Sequence, residues 1–195
     1  MRGAAGHFVV LVGPDGSGKT TLARAMIGRW VGETVYLHWI PALGAELHDG
    51  PQTEVPIPKR LDVPASSLGS AARLTMNLMR AWVFYLLRIR PALRRGALVI
   101  GDRWGYGYVG QPAALRYRGP DWLARRVTGL FPAPHLTVVL LAPVAVLQQR
   151  KTELSADELE AELVRWRSHE FPRQLTLDAT ESVEQMAALV ESALG

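Results

Sequence analysis

Gly13-Pro14-Asp15-Gly16-Ser17-Gly18-Lys19-Thr20 is the stretch from which the rest of the chain is read. It fits G-x-x-x-x-G-K-[ST], the pattern of a phosphate-binding loop. It follows the apolar run Phe8-Val9-Val10-Leu11-Val12 and opens a helical pattern that ends near Trp30. A strand, a glycine-rich turn and a helix in that order wrap successive backbone N–H groups around a polyphosphate. They lay it at a helix N-terminus, where the dipole favours negative charge. Lys19 is expected to reach the β- and γ-phosphates, and the Thr20 hydroxyl to sit on Mg²⁺. Lys19 is also expected as an exposed loop side chain that adds little to folding stability.

Outward from the loop, short apolar runs alternate with helical patterns. That alternation predicts an α/β fold with a mainly parallel sheet. Strands are expected at 8–12, 34–38, 97–101, 136–141 and 174–177. Helices are expected at 18–30, 67–90, 121–130, 143–151, 156–170 and 181–194. Ser155 with Glu158 three residues on forms a capping box, which starts a helix at Ala156. Residues 40–64 carry several prolines and no clear period, and read as a long loop at the strand edge where ligands bind in open α/β sheets.

The second constellation is Ala97-Leu98-Val99-Ile100-Gly101-Asp102-Arg103-Trp104, an apolar strand that ends in an acid and an arginine. In phosphate-loop proteins an acid at the end of a neighbouring strand holds Mg²⁺ or its water. An arginine beside it can clamp a phosphate with its planar fork.

Bulk properties narrow the classes. At 195 residues the chain is expected to be a single domain, 1–195. It has no cysteine, which excludes disulfides and thiolate metal sites. The net charge of +4 suits a phosphate-rich ligand, and no Lys/Arg run with interleaved aromatics marks a nucleic-acid surface. No apolar run approaches a membrane span, and Phe8–Val12 is too short for a signal peptide. Neither nucleic acid nor membrane is therefore expected as a partner, and the expected location is cytoplasmic. The five histidines lack metal-ligand spacing.

With both constellations in hand, the chain resembles the thymidylate kinase family of nucleoside-monophosphate kinases. Asp15-Gly16-Ser17-Gly18-Lys19-Thr20-Thr21 fits the family's D-G-[AS]-G-K-[ST]-T. Pro91-Ala92-Leu93-Arg94-Arg95-Gly96 followed by Asp102-Arg103-Trp104 fits P-A-L-x-x-G before a strand and D-R-[YFHW]. Pro134 to Leu140, Ala145 to Lys151, and Leu177-Asp178-Ala179 match later pieces in order. The resemblance implies a P-loop three-layer fold with a five-stranded parallel sheet and a small lid at about 150–157. It implies ATP as donor and Mg²⁺ as cofactor. Gly13, Asp15, Gly16, Ser17, Gly18, Lys19, Thr20 and Thr21 would cradle the donor, with Arg150 near adenine and phosphates and Asp178-Ala179 flanking the adenine. It places Asp15 near the acceptor sugar, and Asp102 and Arg103 on Mg²⁺, its waters and the acceptor phosphate.

The acceptor half departs from the family. Its usual R-E-P after the second strand is replaced by His38-Trp39-Ile40-Pro41, and its S-x-x-A-Y-Q by Gly105 to Pro112. His38 and Trp39 are candidates to line the acceptor pocket or to pack under the 40–64 loop. Tyr106, with Tyr108, Tyr117 and Trp122, is a candidate to stack on a ring or to pack in the core. Arg73 and Arg80, seven residues apart on one helix face, are candidates for the acceptor. Arg165, Arg167 and His169 lie on the helix after the lid, either on a solvated face or turned to phosphate. The expected function is Mg·ATP-dependent transfer of the γ-phosphoryl group to a small molecule. The acceptor is a nucleoside monophosphate or, in the alternative, a hydroxyl of a sugar-like or antibiotic metabolite. A nucleotide-binding switch or ATPase without an acceptor is a further alternative. Lys19, Asp102, Arg103 and Arg150 carry the catalytic expectation, and a homodimer is left open.

Overall fold

The computed structural model describes residues 5–39, 49–51, 66–150 and 155–195. Five strands, β1 (His7–Val12), β2 (Thr34–His38), β3 (Leu98–Asp102), β4 (Leu136–Leu141) and β5 (Gln174–Asp178), form one sheet in the order β2-β3-β1-β4-β5. Every pairing is parallel. The sheet is flanked by helices, as the alternating pattern predicts. Parallel strands buried on both faces read as continuous apolar runs rather than alternating ones, and β1 shows why. Phe8, Val10 and Val12 point into one core layer, and Val9 and Leu11 into the other.

One layer is closed by α2 (Ser67–Phe84), α3 (Arg90–Arg94), α4 (Gly107–Gly110) and α5 (Asp121–Thr128), through Leu74, Ala81, Phe84, Ala92, Tyr108 and Ala124. The other is closed by α1 (Lys19–Arg29), α6 (Val144–Arg150), α7 (Ala156–Arg167) and α8 (Val183–Leu194), through Leu22, Met26, Leu147, Leu163, Met186 and Val190. The Ser155–Glu158 capping box forms as expected, with both reciprocal hydrogen bonds made.

Three expectations change. The helix read as one run over 67–90 is interrupted by a π-helical turn, Tyr85–Ile89, before α3. Pro91 supplies the reason. It has no N–H for Leu87, and its ring would clash with that carbonyl, so the preceding turn widens and Arg90 donates five residues back to Tyr85. A 3₁₀ turn over Trp104–Tyr106 and the short α4 follow β3 where no element was anticipated. β3 also runs one residue further than expected, so that Asp102 is itself a strand residue paired with Leu11 and His38. Most of the 40–64 loop, and residues 151–154 of the expected lid, lie outside the described residues.

The order 2-3-1-4-5 puts β1 at the centre, with β3 and β4 leaving it on opposite sides. Ligands of open parallel sheets bind outside the strand C-termini at such a reversal. The phosphate loop leaves the end of β1 at that place, and Asp102 ends the adjacent strand.

Candidate active site

The loop after β1 is held by glycine where nothing else fits. Gly13 has φ 140°, and a Cβ there would lie 2.3 Å from the Leu140 carbonyl oxygen on β4. The loop closes with Ser17 N–H donating to the Pro14 carbonyl (3.3 Å), and α1 begins with Leu22 N–H donating to Gly18 (2.9 Å). Lys19 is not an exposed loop side chain. It is 6% exposed, and its Nζ donates to the carbonyls of Pro14 (2.8 Å) and Gly13 (3.0 Å) and to Ser17 Oγ (3.5 Å). No local pattern signals this, because the groups around the loop, Leu140 on β4 and Asp102 and Arg103 at the end of β3, are distant in sequence. Burial, and then the like charge of Arg103, lower the ammonium from its ordinary value to about 8, against the opposing pull of Asp102, Asp15 and Glu162.

Asp102 is 3% exposed. Parallel pairing of β2 and β3 brings two side chains of β2 to one of its oxygens: Tyr36 Oη donates to Oδ2 (2.8 Å), and His38 Nδ1 lies 3.2 Å from it. The other oxygen, Oδ1, is buried without a hydrogen-bond partner. Burial alone would raise this carboxyl. The His38 hydrogen bond and the charges of Lys19 and Arg103 outweigh it and hold the group at about 2. Burial and the Asp102 charge push the Tyr36 phenol upward.

Arg103 lies across the mouth of the loop. Its Nη2 donates to Asp15 Oδ1 in an ion pair, and its Nε stands 3.9 Å from Asp102 Oδ1. Its guanidinium stacks on Trp39, 4.8 Å from the ring centroid. Trp39 in turn lies against the backbone of Gly107, where a Cβ would come within 2.1 Å of Trp39 Cζ3. Trp39 (φ 58°), Arg103 (φ 70°) and Trp104 (φ 44°) are all in the left-handed region, a cluster of backbone strain of the kind that collects at ligand sites. His38 and Trp39 are thus brought to the same edge as Asp102 and Arg103.

Arg150, at the end of α6, donates through Nη1 to the Ala179 carbonyl (3.1 Å) and reaches Gly16 O (3.5 Å). It joins the phosphate loop to the β5–α8 turn, where Asp178 Oδ1 accepts from Thr180 N (2.9 Å) and Oγ1 (2.7 Å). Thr21 is exposed on the first turn of α1. Arg73 and Arg80 sit on the α2 face that presents Asn77 to the Tyr108 hydroxyl (2.6 Å), and both act electrostatically on that phenol.

Tyr106 is 2% exposed and its ring packs on Phe171 at 5.0 Å, which is the core-packing alternative. Tyr108 and Tyr117 are likewise buried against each other, while Trp122 is exposed on α5. Arg165 Nε donates to Gly110 O (3.1 Å), which ties α7 to α4. Three residues went unread in the sequence. Tyr36 carried a signal, since it stands two residues before His38 and shares its strand face. Glu162 carried none. It projects from α7 towards Asp15, Arg103 and Lys19, takes a hydrogen bond from Gln111 Nε2 (3.0 Å), and is raised first by burial. Gln111, 3% exposed, carried no signal of its own within Gly105 to Pro112.

Among the described residues, no helix is long and apolar enough to cross a membrane, and no group of three or more His, Cys, Asp or Glu gathers as a metal site. A buried lysine inside a phosphate loop, an acid on the next strand and an arginine at the mouth define the class, a P-loop phosphotransferase. No protein-family model matches the chain. It is 27% identical to the thymidylate kinase of Lacticaseibacillus casei (strain BL23) over 207 residues, 94% of this chain and 92% of that protein. It is 34% identical over 146 residues to the protein named "Probable thymidylate kinase" from Pyrococcus abyssi, covering 71% of this chain and 66% of that one. The fold matches the solved thymidylate kinase of Candida albicans with a TM-score of 0.64 over 96% of this chain and 90% of that chain, at 17% identity. The chain is a thymidylate kinase-like P-loop kinase, an ATP-dependent phosphotransferase.

Proposed function

We propose that the chain transfers the γ-phosphoryl group of Mg·ATP to a nucleoside monophosphate. The observation that carries this is the continuity of Lys19, Asp102, Arg103 and Asp15 at the ends of β1 and β3. The loop N–H groups and Lys19 hold the β- and γ-phosphates, and Arg150 with the Asp178-Ala179 turn borders the adenine. The donor set suits Mg²⁺: Asp102 Oδ1 is a buried carboxylate oxygen that takes no hydrogen bond, and the Thr20 hydroxyl opens the neighbouring helix. When bound, the ion supplies charge neutralisation at the phosphates. Asp102, held ionised at about 2, keeps that oxygen anionic at neutral pH. Arg103 positions the acceptor, and Asp15 and Glu162 offer carboxylates to its hydroxyls. Catalysis is then positioning and charge stabilisation, since phosphoryl transfer needs little covalent help.

One observation favours the second reading, a hydroxyl of a sugar-like metabolite as acceptor. Arg103 is already paired with Asp15 and stacked on Trp39, and the segment after β2 brings no second arginine. A screen of ADP formation against nucleoside monophosphates, nucleosides and aminosugars separates the two. ATP hydrolysis that no acceptor stimulates would instead support a nucleotide switch.

A second copy of the chain is proposed to cover the outer face of α2. Met76, Met79 and Val83 follow one another at helical spacing there, Leu87 continues the row on the π-helical turn, and Met79 and Leu87 are 60% and 67% exposed. Light scattering of the wild type and of Met79→Glu tests it: a dimer that the variant halves in mass supports the proposal, and a monomeric wild type overturns it.

A further inference from the structure

We infer that Tyr36 is a positioning residue for the metal site. The inference rests on the reading of Asp102 and Thr20 as the residues that hold Mg²⁺. Asp102 has two oxygens in very different surroundings. Oδ2 takes the Tyr36 hydroxyl at 2.8 Å and faces His38 Nδ1 at 3.2 Å, while Oδ1, equally buried, takes no hydrogen bond. A buried carboxylate oxygen without a partner is costly unless a ligand supplies one. Loading one oxygen with two side chains fixes the rotation of the carboxylate and leaves the other oxygen facing Arg103 Nε at 3.9 Å, too far for a hydrogen bond.

Tyr36 does this from a rigid place. It lies on β2, with its Cα opposite Ile100, two residues before the Asp102 partner His38, and it is 8% exposed. Its hydroxyl makes the shorter of the two contacts to Asp102 Oδ2, 2.8 Å against 3.2 Å for His38 Nδ1. Hydrogen bonds of this outer kind orient metal ligands, and their loss costs 10–100-fold in metal affinity. The His38 side chain is 32% exposed and its contact to the same oxygen is longer, so the two β2 side chains are not equivalent.

The test measures ADP affinity by calorimetry with and without Mn²⁺ for the wild type, Tyr36→Phe, His38→Phe and Asp102→Asn. Tyr36→Phe keeps the ring and its packing. It is expected to leave metal-free ADP affinity within about twofold of wild type, and to reduce the gain from Mn²⁺ by about tenfold or more. The reduction in His38→Phe is to be smaller. Asp102→Asn is to lose the gain almost entirely. If Asp102→Asn keeps the full gain, the assignment of the metal residues has failed. If Asp102→Asn loses it and Tyr36→Phe does not, the assignment stands and this inference is overturned. Equal losses in Tyr36→Phe and His38→Phe also overturn it, because Tyr36 would then hold the carboxylate no better than its longer-range, more exposed neighbour. Should Tyr36→Phe lack a cooperative melt, NMR of wild type with labelled tyrosine decides. The Tyr36 resonance must then shift when Mg²⁺ joins the ADP complex beyond its shift with ADP alone, and no further shift overturns the inference.

Discussion

Replacement of Lys19 by Met tests the energetics of the loop as directly as it tests its chemistry. The ammonium is lowered from 10.5 to about 8, with burial as the leading cause. At about 1.36 kcal/mol per pH unit, the charged form is disfavoured in the folded chain by roughly 3 kcal/mol. The sign follows from proton counting. Below pH 8 both the folded and unfolded chains carry the proton, and the whole cost is present. Between pH 8 and 10.5 the folded chain binds fewer protons than the unfolded one, so stability rises with pH. For a chain of this length that rise corresponds to roughly 6–12 °C in Tm. Lys19→Met removes the titrating group, so its melting temperature lacks this rise. At pH 7 the variant gains what the buried charge cost and loses charged hydrogen bonds to Gly13 and Pro14, worth about 1.5 kcal/mol or more each, which leaves it near or slightly below wild type. The assay is a series of thermal melts of both proteins at constant ionic strength from pH 7 to 10.5. The difference between the curves isolates Lys19, since the raised tyrosines Tyr36 and Tyr106 contribute to both curves alike. Phosphoryl transfer by the variant is expected to fall by ~10²-fold or more. Parallel melting curves would refute the buried ammonium, and near-normal turnover would refute its role at the phosphates.

Three further outcomes are expected. Asp102 is held at about 2 against an ordinary 3.8, so its ionisation contributes about 2 kcal/mol above pH 4, lost as pH falls through 2. Asp102→Asn should flatten that part of the acid-unfolding curve and lower turnover ~10²-fold while ADP still binds, and unchanged turnover would make the residue structural. Gly107→Ala places a methyl group 2.1 Å from the Trp39 ring. It should cost about 1–3 kcal/mol of stability by denaturant titration and raise the acceptor KM with little change in that for ATP, and equal changes in both would deny Trp39 and Arg103 a place on the acceptor side. Thymidine monophosphate should be a poor acceptor, with kcat/KM below ~10⁴ M⁻¹s⁻¹, because Arg103 is committed to Asp15 and Trp39 takes a place where a cation would help. A higher value in steady-state kinetics would strip the divergence around Trp39 of functional weight.

What the sequence by itself determined is local. The apolar runs His7–Val12 and Leu98–Asp102 are strands because both their faces are buried, and a continuous apolar run of that length between turn signals has few other solutions. The phosphate loop, the capping box at Ser155 and the acid–arginine pair after β3 are equally short-range, each set by residues within eight positions of one another. The order of the sheet, the burial of Lys19 and the fate of the aromatics after Trp104 are not. Tyr106 and Tyr108 look the same in the sequence as Trp39, yet two fill the core and the third stacks on Arg103. That distinction depends on where Phe171, Asn77 and Gly107 arrive from distant parts of the chain. The same holds for Asp102, whose partners Tyr36 and His38 come from a strand more than sixty residues earlier. An ionisable side chain takes its protonation and its orientation from whatever the fold packs around it. Pairing of β2 with β3 made that choice here, and it is a long-range contact that no local pattern encodes.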